Sequence, residues 1–268
     1  MMLGDLYLKE LRDQRWSLLL WSLSIVGYVV LMCAVYPTIG ESQVALEELI
    51  DSMPPAFKNY IMGQAGDFFT PAGYLGARVF ALLSPLVVLI FAVGVGGRTV
   101  AGEEDGGTMG VILAYPIARR AALAKKYLMV LTVTAVVVAA HLIGLLIGVA
   151  AVGMDVSVGR LLQASLSLWL LTVLGASLTF AAGAAGARRG TATAVAAGLL
   201  LVTYLLDTLG LLVSGLEWLR DLSFFYYYGG GQVLIRGLDG VHVAVLLACI
   251  AVCLAVAFPT FLRRDIRQ

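Results

Sequence analysis

Residues 101–126 read AGEEDGGTMGVILAYPIARRAALAKK. Three consecutive acids, a pair of glycines and a run of bases interrupt a chain whose composition otherwise suits lipid. The flanking apolar runs, Gly76–Arg98 and Tyr127–Val152, are each long enough to cross a hydrocarbon core of about 30 Å as a helix. The stretch is therefore a polar loop between two membrane spans, and the rest of the fold is read outward from it.

The same length test picks out Trp16–Tyr36, Leu161–Ala187, Thr191–Ser214 and Val241–Leu262. Hydrophobic residues form 60% of the 268-residue chain and charged residues 13%, so a water-soluble fold has too little polar surface to cover it. No run alternates like a barrel strand, and lipid leaves no backbone group without a partner, so every crossing is helical. The expected fold is an all-α integral membrane protein with six transmembrane helices, one transmembrane domain spanning 1–268. Polar segments lie outside the spans at 37–75 and 215–240, with the loop at 99–126. In residues 3–15, Leu3, Leu6, Tyr7 and Leu11 share one helical face. That pattern predicts a separate interfacial helix before the first span. The segment 37–73 carries an acidic amphipathic stretch stopped by Pro54 and Pro55, which predicts a short pair of helices.

Charge sets the expected orientation. With both termini inside, 13 of the 18 Lys and Arg residues fall on the cytoplasmic side, which is the positive-inside bias. The N-terminal run lacks a cleavage site and mixes acids with bases, so it reads as a retained span. Trp16, Tyr36, Tyr74, Tyr127 and Trp218 fall at span ends, where amphipathic rings meet headgroups. The net charge of +1 is dispersed and offers nucleic acid no basic patch. Cys33, Cys249 and Cys253 lie in apolar runs and read as buried free thiols. GLLIG at 144–148 and the glycines at 183 and 186 supply small residues for close helix packing.

Within the loop, Asp105 or Thr108 is placed to N-cap a short apolar helix over Met109–Ala114, which Pro116 ends. Gly106 and Gly107 free the backbone for a sharp re-entry. Arg119, Arg120, Lys125 and Lys126 mark the entry to the third span, so the helix runs along the surface with acids at one end and bases at the other. Physics alone leaves two readings. One is an interfacial helix held by headgroups, and the other is a docking helix that takes mechanical input from a soluble domain.

The order Gly102, Glu103, Glu104, Gly107, Thr108, Leu113, Ala114, Pro116, Ile117, Arg119 and Lys126 resembles a loop of known transporters. It lies between the first two core spans in permease subunits of type-2 ATP-binding-cassette (ABC) exporters. Residues 70–75, leading into Arg78, Ser84 and Pro85, resemble the antibiotic and multidrug exporter branch, as does the aromatic cluster at 223–228. That branch often has Pro where this chain has Phe224. The resemblance implies a permease that pairs with a second permease chain, either an identical copy or a relative. Two copies of a separate ABC ATPase, carrying ATP and magnesium, would dock beneath them. It implies that Glu103, Glu104, Gly107 and Thr108 shape a coupling turn, with Pro116 closing the helix. Arg119 and Lys126 would fix its exit or meet nearby acids.

The chain has no Gly-x-x-x-x-Gly-Lys-Ser/Thr phosphate loop, no catalytic elbow and only two histidines, so neither catalysis nor a metal or cofactor site is expected in it. Inside the spans, Asp207 has Arg78 and Arg220 as candidate ion-pair partners, and His141 reads as a hydrogen-bonding group between helices. Phe224, Phe225, Tyr226 and Tyr227 are expected to plug or anchor an outer vestibule. An ion-gradient-driven transporter or channel, with Asp207 and His141 as a proton pair, is the alternative, and a membrane scaffold is a third reading. A pathway lined by aliphatic and aromatic side chains favours export of an amphipathic or lipophilic solute such as a drug, antibiotic or lipid. Usage rich in Ala, Gly and Val points to the plasma membrane of a prokaryote.

Overall fold

A computed structural model describes residues 3–41, 52–54, 69–113 and 118–264. Among these, the regular elements are helices: α1 (Leu3–Glu41), the run α2 (Pro71–Asp105), α3 (Thr108–Leu113), α4 (Arg119–Val152), α5 (Val158–Ala184), α6 (Arg189–Leu212), α7 (Phe224–Tyr228), α8 (Gln232–Arg236) and α9 (Gly240–Arg263). The helices α1, α2, α4, α5, α6 and α9 are long and apolar enough to span a bilayer, so the all-α, six-span expectation holds. Most of the expected helix pair at 37–73 lies outside the described residues.

Two boundaries differ from the sequence reading. The break expected near residue 15 is absent, and Leu3–Glu41 is one helix of 39 residues. Nothing between Leu11 and Trp16 is Gly or Pro, so the amphipathic segment runs straight into the span. The third span begins at Arg119, well before Tyr127, because RRAALAKK consists of strong helix formers.

Packing is organised around α5, which touches α2, α4, α6, α7, α8 and α9 and buries Leu161, Leu168, Leu171, Leu174 and Phe180 completely. Its Thr172, Ser177 and Thr179 hydroxyls donate to carbonyls four residues back, which pairs those three groups within the helix itself. The α1–α4 seam is closed by small residues. A Cβ on Gly148 would lie 2.6 Å from Cys33 Sγ, so glycine alone permits this approach. Outward faces carry Leu19, Leu20 and Leu23 on α1 and Leu201, Val202 and Leu205 on α6, all exposed, as a lipid-facing surface requires.

The run α2 is not a uniform helix. Thr70 caps it, accepting from the Gly73 N–H at 3.1 Å, and Pro71 occupies the first turn. Two π-turns, Gly76–Phe80 and Arg98–Gly102, each insert an extra residue. An inserted residue rotates everything after it by about 100° about the axis. The second π-turn directly precedes Glu103 and sets the direction in which the acids point.

The two tyrosines expected at headgroup depth on α2 and α4 are buried instead. Tyr74 donates to Met32 O at 2.8 Å, and Tyr127 hydrogen-bonds Ser177 at 2.8 Å. Trp16 and Trp218 remain exposed. All three cysteines are free; Cys33 and Cys253 are buried, whereas Cys249 is only half-buried.

Candidate functional site at the acidic loop

The last turn of α2 carries Glu103, Glu104 and Asp105, and each acid meets a different span. Glu103 Oε2 lies 2.5 Å from Lys126 Nζ on α4, and the lysine side chain is 1% exposed. Glu104 pairs with the guanidinium of Arg264, just past α9, and its side chain is 5% exposed. Asp105 Oδ2 accepts the backbone N–H of Arg189 at 2.8 Å, at the first residue of α6. Arg119 Nη1 donates to the Arg264 carbonyl at 3.1 Å, which ties the start of α4 to the same corner.

The chain then reverses. Gly107 adopts φ +69°, a left-handed conformation in which a side chain is strained, and its N–H reaches Glu104 O at 3.1 Å. Thr108 donates its hydroxyl to Glu103 O at 3.2 Å. The short helix α3 follows, with Met109 buried and Gly110 exposed. Pro116 lies outside the described residues.

The sequence reading placed acids and bases at opposite ends of a surface helix. In the structure Lys126 is buried and folded back onto Glu103, and Asp105 meets the start of α6 instead of capping α3. Arg264 and Arg189 were read only as markers of the inner side. The signal that they complete the site was available: three acids in one turn and three basic clusters at the inner ends of spans, in a chain with few charges.

At the opposite end, Arg220 Nε donates to Asp207 Oδ1 at 3.0 Å, so Arg220, of the two candidates, is the partner. Arg78 uses its carbonyl to accept Tyr28 OH at 2.6 Å. The Arg220 guanidinium also lies 4.9 Å above the Tyr226 ring. Tyr226 and Tyr227 pack on His242 at 5.0 and 5.4 Å, and Phe225 packs on Tyr204 at 5.2 Å. These rings and the ion pair border a cavity of about 630 Å³, within the range that holds small organic ligands. Ser223 caps α7 and donates to Thr203 O at 2.6 Å, while Phe224 packs half-buried on the core. Tyr228 is buried, donating to Phe80 O at 3.0 Å and accepting from Ser167 at 2.6 Å through its own carbonyl.

His141 belongs to neither end. It is fully buried, with Nε2 2.9 Å from Ser84 Oγ and the Phe80 ring set edge-on at 5.4 Å. It and Asp207 have different partners, and no contact links them.

Six spans assembled on one central helix, with an acidic loop tied to three of them, define a multi-pass α-helical membrane protein. Residues 5–266 match the family model described as ABC-2 family transporter protein. The match covers nearly the whole chain, so the protein belongs to the ABC-2 transporter family and is an ABC permease. No curated protein matches it.

Proposed function

We propose that the chain forms the translocation pathway of an exporter for an amphipathic or lipophilic solute, a drug, antibiotic or lipid, powered by a separate ABC ATPase. Two ATPase copies carrying ATP and magnesium dock at the 99–126 loop, and a second permease chain completes the pathway. The loop end faces the cytoplasm of a prokaryotic cell, with both termini on that side.

The observation that carries this reading is the form of the loop. Its base is tied to α4, α6 and α9, while Gly106, Gly107, Thr108, Gly110 and Arg120 are left exposed as a surface a soluble partner can grip. A gradient-driven carrier has no use for such a tethered projection, and the Asp207–Arg220 and His141–Ser84 pairs leave no proton relay between those groups. The cavity beside Tyr226, Tyr227 and His242 serves as the exit vestibule in this scheme.

The test is affinity purification from the native membrane in mild detergent, followed by mass spectrometry of stoichiometric partners. A soluble protein bearing a phosphate loop supports the proposal. A chain that purifies alone and moves solute in liposomes under a proton gradient defeats it.

A further inference from the structure

We propose that Glu103, Glu104 and Asp105 are positioning residues. They form a three-way latch that locks the loop to α4, α9 and α6, so that a load on α3 moves all three together. This deepens the docking reading above and rests on it for the origin of the load, though not for the latch itself.

The geometry follows from helix periodicity. Successive side chains on a helix point about 100° apart, so three adjacent acids fan across more than half the circumference and cannot share one neighbour. Each here finds its own partner: Lys126 Nζ, the Arg264 guanidinium and the Arg189 N–H. The π-turn at Arg98–Gly102 supplies the rotation that aims them. Arg119 closes the corner by donating to the Arg264 carbonyl, so α2, α4 and α9 meet at one point.

Burial separates this role from direct docking. An acid that contacts a soluble partner must reach solvent, yet the Glu104 side chain is 5% exposed. The Glu103 side chain is 21% exposed, but its carboxylate is turned onto Lys126, which is 1% exposed. Charges so enclosed are little screened by salt and hold their partners in fixed directions. Asp105 is exposed, but its carboxylate is engaged by the α6 N–H, where the helix dipole also favours an anion.

The test uses the full chain in nanodiscs, with the native cysteines replaced by Ala and a spin label on Gly110→Cys. A Cβ at that position meets nothing within 4 Å, so the label is tolerated. Glu104→Gln, Glu103→Gln and Asp105→Asn are each expected to raise label mobility, and the exchange Glu104→Arg with Arg264→Glu is expected to lower it again. Asp105→Asn changes an exposed side chain and keeps the experiment informative if the buried variants misfold. In membranes that also hold the co-purified ATPase, each single variant is expected to keep ATP hydrolysis while transport falls about tenfold, with the exchange restoring most of it. Unchanged label mobility in the single variants overturns the latch, and lost transport with unchanged mobility assigns the acids to the ATPase contact instead. Raised mobility in the single variants, together with a wild-type chain that recruits no ATPase, leaves the latch standing and defeats the function proposed above.

Discussion

The two ends of this bundle use polar groups differently. At the loop end, one helical turn sends three carboxylates to three separate spans, and both a lysine and a glutamate are almost sealed from solvent. At the other end the ion pair Asp207–Arg220 sits among rings that touch edge to face beside a cavity of about 630 Å³. Breaking a buried charge pair costs about 3–5 kcal/mol, whereas an aromatic contact contributes about 0.5–1.5 kcal/mol beyond its area. The difference teaches that charge, scarce in a membrane protein, is concentrated where helices must stay in register. Rings are used where a surface must rearrange around something of variable shape.

The strongest way to break this contrast is at Lys126. Lys126→Ala leaves Glu103 facing a buried gap and is expected to cost about 3–5 kcal/mol, read as a drop in the thermal midpoint in detergent. Replacing both partners, Glu103→Gln with Lys126→Met, removes the stranded charge and should recover most of the loss. A single variant as stable as wild type would show the loop end to be no stiffer than the other.

Arg220→Met is the matched test at the aromatic end. It strands Asp207, but the Arg220 side chain is 29% exposed, so water can enter and partly solvate the carboxylate. The expected cost is about 2 kcal/mol, smaller than at Lys126. A larger loss than at Lys126 would reverse the ranking of the two ends.

Much of the fold was legible in the sequence because length and hydropathy alone decide what can cross a bilayer. The six spans were placed from those properties, and the family followed from the residues between Gly102 and Lys126. What escaped was local. The continuous α1 was missed because amphipathic periodicity marks a face and not an end, and no breaker stood before Trp16. Burial of Tyr74, Tyr127 and Lys126 depends on which helices are neighbours, information that a single span does not contain. The partners Arg189 and Arg264 lie 84 and 160 residues from the acids they meet, beyond any local pattern. Asp207 with Arg220, only 13 residues apart, was within reach as one of two candidates.

A smaller effect tests how the aromatic segment is anchored. Tyr228→Phe removes the donor to Phe80 O, at a cost of about 1–2 kcal/mol. Ser167→Ala removes the donor to the Tyr228 carbonyl and should cost a similar amount. The two substitutions act on one residue, so the double variant is expected to lose less than the sum. Strict additivity in thermal unfolding would mean that Tyr228 is not a single anchor.

The smallest expected effect is a pH response confined to the aromatic end. Glu217 begins the 3₁₀ turn Glu217–Leu222, and both its carboxylate oxygens accept the Gly215 N–H at 3.0 Å. That hydrogen bond holds the Glu217 carboxyl below its ordinary value. A carboxylate depressed in the folded state stabilises it above the unfolded pKa, and the contribution fades as pH falls through the lower folded value. The window therefore opens near the ordinary glutamate pKa of about 4.3 and extends downward. Glu217 is fully exposed, so only the turn should loosen while the bundle persists. Trp218, exposed beside it, reports the change when the other tryptophans are replaced by Phe. Its fluorescence should step in this window and stay flat in Glu217→Gln, whereas a label on α3 should show no step. A step that survives Glu217→Gln would place the titrating group elsewhere and overturn this assignment.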